Sequence, residues 1–156
     1  MDIRQADSTG VSVRPATAAD ESAIVALDAT ITGTAKSAYW ADILERYTGP
    51  GNGPDRCCLV ATSTTGEIAG FIVGEIRAWE FGSPPCGWVI ALSVAPDRRE
   101  RGIGSLLLGE LCAALKQGDV STIRTMVLRD DKVNMSFFRG EGLAAGPYIE
   151  LEKHLE

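Results

Sequence analysis

The sequence predicts an α/β fold, a mixed α+β sheet with helices on both faces. Three observations carry that expectation. Strand-like alternation recurs in three consecutive segments between residues 57 and 94, separated by turn residues. From Gly102 the apolar period changes from two to about 3.6 residues. A strand pattern and a helix pattern then alternate once more before the chain ends.

Residues 1–10 are polar and read as a loose leader, so one domain is expected over 11–156. Val11-Ser12-Val13-Arg14 alternates and predicts the first strand. Thr17-Ala18-Ala19-Asp20 has a capping residue with an acid three positions later. Ala23, Ile24, Leu27 and Ile31 follow at helical spacing, which predicts a helix over about 18–30. A second helix is expected from Ser37 to Tyr47, and 48–54 is a loop rich in glycine and proline. Strands over 57–63 and 67–79 form a hairpin about Thr65-Gly66. Gly82-Ser83-Pro84-Pro85 turns the chain into a strand over 88–94. Ile103, Leu107, Leu111, Ala114 and Leu115 share the apolar face of a long helix that Gly118 ends. A strand over 122–128, a short helix over 132–139 and a last strand over 148–151 complete the order β-α-α-β-β-β-α-β-α-β.

Composition narrows the function. Hydrophobic residues are 45% and charged residues 23%, an ordinary globular balance, and the net charge is −6. An acidic surface repels phosphate backbones, which argues against nucleic-acid binding. Arg98, Arg99 and Arg101 nevertheless form a local basic cluster suited to a small anion. Cys57, Cys58, Cys86 and Cys112 match no zinc or redox spacing, so no metal is expected. Free thiols suit a reducing, cytoplasmic compartment. No apolar run approaches the ~20 residues of a membrane span. The single histidine, His154, lies near the C-terminus, which leaves Cys86 without a basic partner for nucleophilic catalysis.

The informative stretch runs from Leu92 to Leu107: a buried strand, a basic loop, and a helix that opens on Gly102-x-Gly104. The first turn of a helix leaves N–H groups without internal acceptors, and the dipole adds positive potential. Glycine lets a phosphate reach that backbone. No Gly-Lys-Ser/Thr closes the loop, and Leu107 stands where a dinucleotide fingerprint needs its third glycine.

Arg99-x-x-Gly102-x-Gly104, preceded by Val94-Ala95-Pro96, resembles the main motif of the GNAT N-acetyltransferase superfamily, Arg/Gln-x-x-Gly-x-Gly/Ala at the start of the third helix. The resemblance follows element order over about 12–155 and is motif-grade over 88–108. It implies acetyl-CoA as acyl donor. The main chain of Leu92, Ser93 and Val94 would hold the acetyl carbonyl and pantetheine arm. The pyrophosphate would lie on Arg99, Glu100, Arg101, Gly102, Ile103, Gly104 and Ser105. A second match, Asp131 to Leu143, is similar to the family's helix beside the cofactor thiol. There Phe138 takes the place of the tyrosine that in many members protonates the leaving thiolate. The fourth strand also lacks the glutamate base of some members, having Trp88 and Ala91.

Two bases are nominated instead: Glu75, a carboxylate within an apolar strand, and Glu80, near that strand's end. The alternative for Glu75 is a surface pair with Arg77, and for Glu80 a hairpin-end charge. The acceptor is a small-molecule or protein amine. Homodimers are common in folds of this type, although no sequence feature marks an interface. The rival function is a non-catalytic acyl-CoA sensor or regulatory module.

Overall fold

In the computed structural model, which describes residues 9–156, the first strand is the outer member of a five-stranded sheet. The sheet has the order β1-β2-β3-β4-β5, with β1 (Val11–Pro15), β2 (Arg56–Ser63), β3 (Ile68–Arg77), β4 (Cys86–Val94) and β5 (Ile123–Arg124). Successive pairs are antiparallel except β4 and β5, which are parallel. The helices are α1 (Glu21–Thr32), α2 (Ser37–Thr48), α3 (Ile103–Lys116) and α4 (Lys132–Gly140). The chain to Thr125 forms one compact unit and Met126–Glu156 a second. The leader expected over 1–10 falls largely outside the described residues. No described helix is long and apolar enough to cross a membrane.

Alternation assigns the two sheet faces of the first unit. Cys58, Val60, Phe71 and Val73 share a core with Ile24 and Leu27 of α1 and Trp40, Ile43, Leu44 and Tyr47 of α2. Trp40 packs edge-on against Phe71 at 5.0 Å, and its indole N–H donates to the buried Asp28 carboxylate at 3.0 Å. Lys36 completes that carboxylate's shell at 2.9 Å. The opposite face is built for α3. A Cβ on Gly70 would meet Leu107, one on Gly74 would meet Leu111, and one on Gly87 would meet Leu115. The i, i+4, i+8 leucine ridge of α3 therefore lies in a trough of glycines. Helices on both faces, as expected, follow from these two packings.

The capping signal at Thr17 opens a 3₁₀ turn, Ala18–Asp20, that runs into α1. The Asp20 carboxylate accepts from the Thr17 N–H at 2.8 Å and from both terminal nitrogens of Arg14 at 2.8 Å. Arg14 thereby holds the Asp20 carboxyl below its ordinary range, against a smaller opposing effect of burial. Ile31, expected on the buried stripe, is instead exposed.

Three strand expectations need correction. β3 stops at Arg77 rather than 79, because Trp79 (φ 71°) and Phe81 (φ 56°) adopt left-handed conformations that no strand contains. The strand expected over 122–128 shrinks to Ile123–Arg124. There the Thr125 hydroxyl donates to the Val89 carbonyl at 3.1 Å, so a side chain takes the acceptor that a further backbone rung needs. Residues 148–151 form no strand: Ile149 and Leu151 are more than four-fifths exposed, and their alternation finds no ladder among the described residues.

Candidate active site

The register of β3 and β4 breaks once. Val73 faces Ala91 and Gly74 faces Val89, so Ile90 is an extra residue in β4. A bulge of this kind bends its strand and increases its twist. β5 ends opposite Trp88, just before the bulge, and beyond that point no described strand pairs with β4 on the edge away from β3. The Ala95 N–H donates to Ala69 of the β3 side at 2.8 Å. Backbone polar groups alternate along an antiparallel strand. Leu92 and Val94 therefore turn their N–H and C=O groups away from β3, and Ser93 turns its own toward it. The bulge and the early end of β5 leave a strip of main-chain donors and acceptors on the β4 edge.

The chain leaves β4 through a 3₁₀ turn, Pro96–Arg98. Arg98 is committed to Glu67 at 3.0 Å. Arg99 reaches back to the Val94 carbonyl at 3.4 Å, a long contact. Arg99 and Arg101 are exposed and belong to no ion pair among the described residues. Glu100 (φ 61°) and Gly102 (φ 83°) both take left-handed conformations that swing the chain into α3. Helical bonding begins with the Leu106 N–H on the Gly102 carbonyl at 3.0 Å. The N–H groups of Ile103, Gly104 and Ser105 thus have no acceptor within α3. Ile103 is buried and anchors the turn, while Gly102 and Ser105 are exposed.

The two nominated bases have different surroundings. Glu75 lies on the α2 face of β3 with its side chain 13% exposed. One carboxylate oxygen accepts from the Tyr47 hydroxyl at 2.7 Å and the other from Arg77 Nε at 2.6 Å, with Arg56 at 4.0 Å. Burial opposes the charge, but Tyr47, Arg77 and Arg56 together outweigh it and hold the carboxyl below its ordinary range. Burial, and then the hydrogen bond to Glu75 and its charge, push the Tyr47 phenol well above its usual value. Glu80 is exposed, on the 3₁₀ turn Glu80–Gly82 between β3 and β4. It lines a small cleft with Trp79, Phe81, Trp88 and Arg124. Tyr47 is the functional neighbour that sequence reading missed, although the i, i+3, i+4, i+7 spacing of Trp40, Ile43, Leu44 and Tyr47 marks it as inward-facing.

The Glu75 network makes a pH prediction. Its folded pKa lies below the ordinary 4.5, so its stabilising effect is fully present above about 4.5 and is lost as pH falls through the lower folded value. Glu75→Gln is expected to melt several degrees below the wild type at pH 7, with the gap narrowing steadily below pH 4.5. Thermal denaturation across pH 3–7 measures it.

In the second unit, Asp131 caps α4 by accepting from the Asn134 N–H at 3.0 Å and its amide at 2.7 Å. Phe138 is buried with its ring edge-on to Phe137 at 5.1 Å. Its side chain offers no ionisable proton.

The family model of the acetyltransferase (GNAT) family matches residues 23–143, most of the chain and across both units. The chain belongs to the GNAT acetyltransferase family. It is therefore an acetyltransferase by family and fold. No curated protein matches the sequence. Among solved structures, this GNAT chain is similar to the aminoglycoside 6'-N-acetyltransferase AAC(6')-Ih from Acinetobacter baumannii, with 16% identity, a TM-score of 0.78 and coverage of 94% of this chain and 100% of that one. The aminoglycoside N-acetyltransferase AAC(6')-Iy in complex with CoA matches at 12% identity and a TM-score of 0.80, over 99% of both chains. Ribosomal-protein-alanine N-acetyltransferase from Brucella melitensis biovar Abortus 2308 matches at 17% identity and a TM-score of 0.73, over 94% of this chain and 99% of that one. At such identities the likeness is one of fold.

Proposed function

We propose that this GNAT protein transfers the acetyl group of acetyl-CoA to a primary amine by direct attack, inside the cell, and that both units belong to one catalytic domain. The family match running unbroken across their boundary supports the last point. The observation that carries the reading is the continuity of β4 edge, basic loop and α3 N-terminus. Leu92 and Val94 present outward N–H groups that suit a thioester carbonyl and a pantetheine amide, with Ser93 fixing the strand between them. Arg99, Glu100, Arg101, Gly102, Ile103, Gly104 and Ser105 supply backbone donors, two guanidinium groups in no ion pair among the described residues and a gap without a Cβ for a pyrophosphate.

Acetyl transfer then needs a neutral amine, a polarised carbonyl and a leaving thiolate. Backbone N–H groups fixed in place before the reaction stabilise the developing oxyanion. Holding amine and thioester together contributes up to about 7–11 kcal/mol. A thiol with pKa near 8.5 leaves as its anion without an enzymatic acid, so phenylalanine at 138 is compatible with turnover. An ammonium with pKa near 10 must lose a proton. Glu75 already accepts from two donors, Tyr47 and Arg77, with the Arg56 cation at 4.0 Å, and serves to organise all three. We assign proton removal to Glu80, directly or through water.

Glu80→Gln is expected to lower kcat/KM about 10²-fold or more with acetyl-CoA affinity unchanged. Glu75→Gln is expected to act mainly through stability. Thiol release, followed during a screen of amines, is the measurement. Full activity in both variants would remove a carboxylate base from the mechanism. The absence of an acid at Phe138 also favours one rival reading, an acyl-CoA-binding module without turnover. That reading requires tight acetyl-CoA binding and no thiol release with any amine.

A further inference from the structure

The second unit carries a groove that no step of acetyl transfer above employs. It runs beside α4 with a volume of about 480 Å³ and is lined by Arg129, Lys132, Met135, Ser136 and Arg139. Lys132, Ser136 and Arg139 stand at i, i+4 and i+7, on one side of the helix. Three cations and one hydroxyl thus line one groove. None of the three is in an ion pair or a side-chain hydrogen bond among the described residues. Elsewhere Arg14, Lys36, Arg46, Arg56, Arg77 and Arg98 each have a carboxylate partner. The acids adjoining the groove do not fill this role: Asp131 is spent on the Asn134 backbone and amide, and Asp130 pairs with none of the three.

Like charges held around one opening repel unless an anion joins them, and this chain has an excess of acids from which partners could have come. Two guanidinium groups offer planar donor pairs, the ammonium a point charge and the serine a hydroxyl. That set matches the three terminal oxygens and double charge of a phosphate monoester better than a carboxylate's two oxygens and single charge. We infer that the α4 groove binds a phosphate monoester dianion. Two sources share that chemistry, the 3′-phosphate of coenzyme A and a phosphorylated acceptor. Only the first depends on the acetyl-CoA reading above.

Calorimetry of the whole chain with three probes tests it: glycerol 3-phosphate, acetyl-CoA, and acetyl-dephospho-CoA, which lacks the 3′-phosphate. The variants are Arg129→Gln/Lys132→Gln/Arg139→Gln and, as a milder change, Lys132→Gln alone. All three side chains are exposed, so circular dichroism should show a native fold. The expected result is at least about tenfold weaker binding of one phosphate probe in the triple variant, with Lys132→Gln intermediate. If the cofactor is the source, the wild type prefers acetyl-CoA to the dephospho form by about tenfold, and the triple variant loses that preference. If an acceptor is the source, the two cofactors bind alike and glycerol 3-phosphate saturates the wild type only. Affinities for all three probes that are unchanged by the substitutions would overturn the inference. A wild type that binds neither cofactor would defeat the acetyl-CoA reading, and glycerol 3-phosphate alone would then decide the groove.

Discussion

Gly102→Glu is expected to abolish measurable acetyl-CoA binding, a loss of about 100-fold or more, while leaving the chain folded. The side chain itself has room, because among the described residues a Cβ at Gly102 would meet only Thr9 Cγ2, at 3.6 Å. The stability cost is the left-handed φ of 83°, worth about 1–2 kcal/mol for a residue with a Cβ. Glu100 already bears such a conformation two residues earlier. Binding suffers far more. The carboxylate would stand at the opening of α3, where the N–H groups of Ile103, Gly104 and Ser105 have no helical acceptors. It would occupy the space left for a phosphate and repel one by charge. Gly102→Ala separates the two effects, since it carries the same backbone strain without the charge. It should lose comparable stability and much less affinity. Calorimetric titration of the three proteins, with melting curves beside it, measures both quantities. Undiminished binding by Gly102→Glu would mean that the loop is only a tight strand-to-helix turn.

The loop was legible because its signal is local. Alternation up to Val94, a basic turn and a 3.6-residue period after Gly102 are all read within about twenty consecutive residues. The same locality made α2, α3, α4 and the β2–β3 hairpin readable to within a few residues. What escaped depends on partners far along the chain. Glu75 stood out as a carboxylate in an apolar strand, but Tyr47, which occupies its oxygen, comes 28 positions earlier. Trp79 and Phe81 are strong strand formers by composition, yet the turn closed by the Trp79 N–H on the Ser83 carbonyl at 2.8 Å forces them out of the extended region. β5 looked long because isoleucine, valine and threonine favour strands. Its length is set by where β4 bulges at Ile90 and by what the Thr125 hydroxyl does there. Lys132 and Arg139 of α4 stand at helical spacing, but nothing local told that they have no carboxylate partner among the described residues. A strand's interior glycine does carry a local signal, close approach by another element. Gly70 and Gly74 lie on one face of β3, and each is matched by a leucine of α3, Leu107 and Leu111.

That match yields the second large expected effect: Gly74→Val should destabilise the protein by about 3 kcal/mol, lowering Tm by roughly 6–12 °C for a chain of this size. A Cβ at Gly74 would lie 2.7 and 2.8 Å from the two methyl groups of Leu111 and 2.9 Å from the Trp88 carbonyl oxygen. Leu111 can yield by changing rotamer, at the expense of a fully buried position. The Trp88 carbonyl cannot, because Trp88 is paired with Glu75 on one side and Arg124 on the other, at the last rung before the bulge. Gly74→Ala should therefore still destabilise, by about 1–2 kcal/mol. In a Leu111→Ala background, which itself costs about 2–5 kcal/mol, the added penalty of Gly74→Val should shrink but not vanish. Denaturant unfolding of the four proteins gives that cycle. A penalty unchanged by Leu111→Ala would assign the whole effect to the backbone clash, and no penalty at all would deny the close packing of α3 on β3. The functional consequence runs through the same contact. Leu111 belongs to the ridge that fixes α3 on the sheet, and the first turn of α3 is the proposed phosphate cradle. Gly74→Val should then weaken acetyl-CoA binding in proportion to lost stability, whereas Gly102→Glu should weaken it far out of proportion. Plotting affinity against melting temperature for both series separates a residue that holds the cradle in place from one that belongs to it.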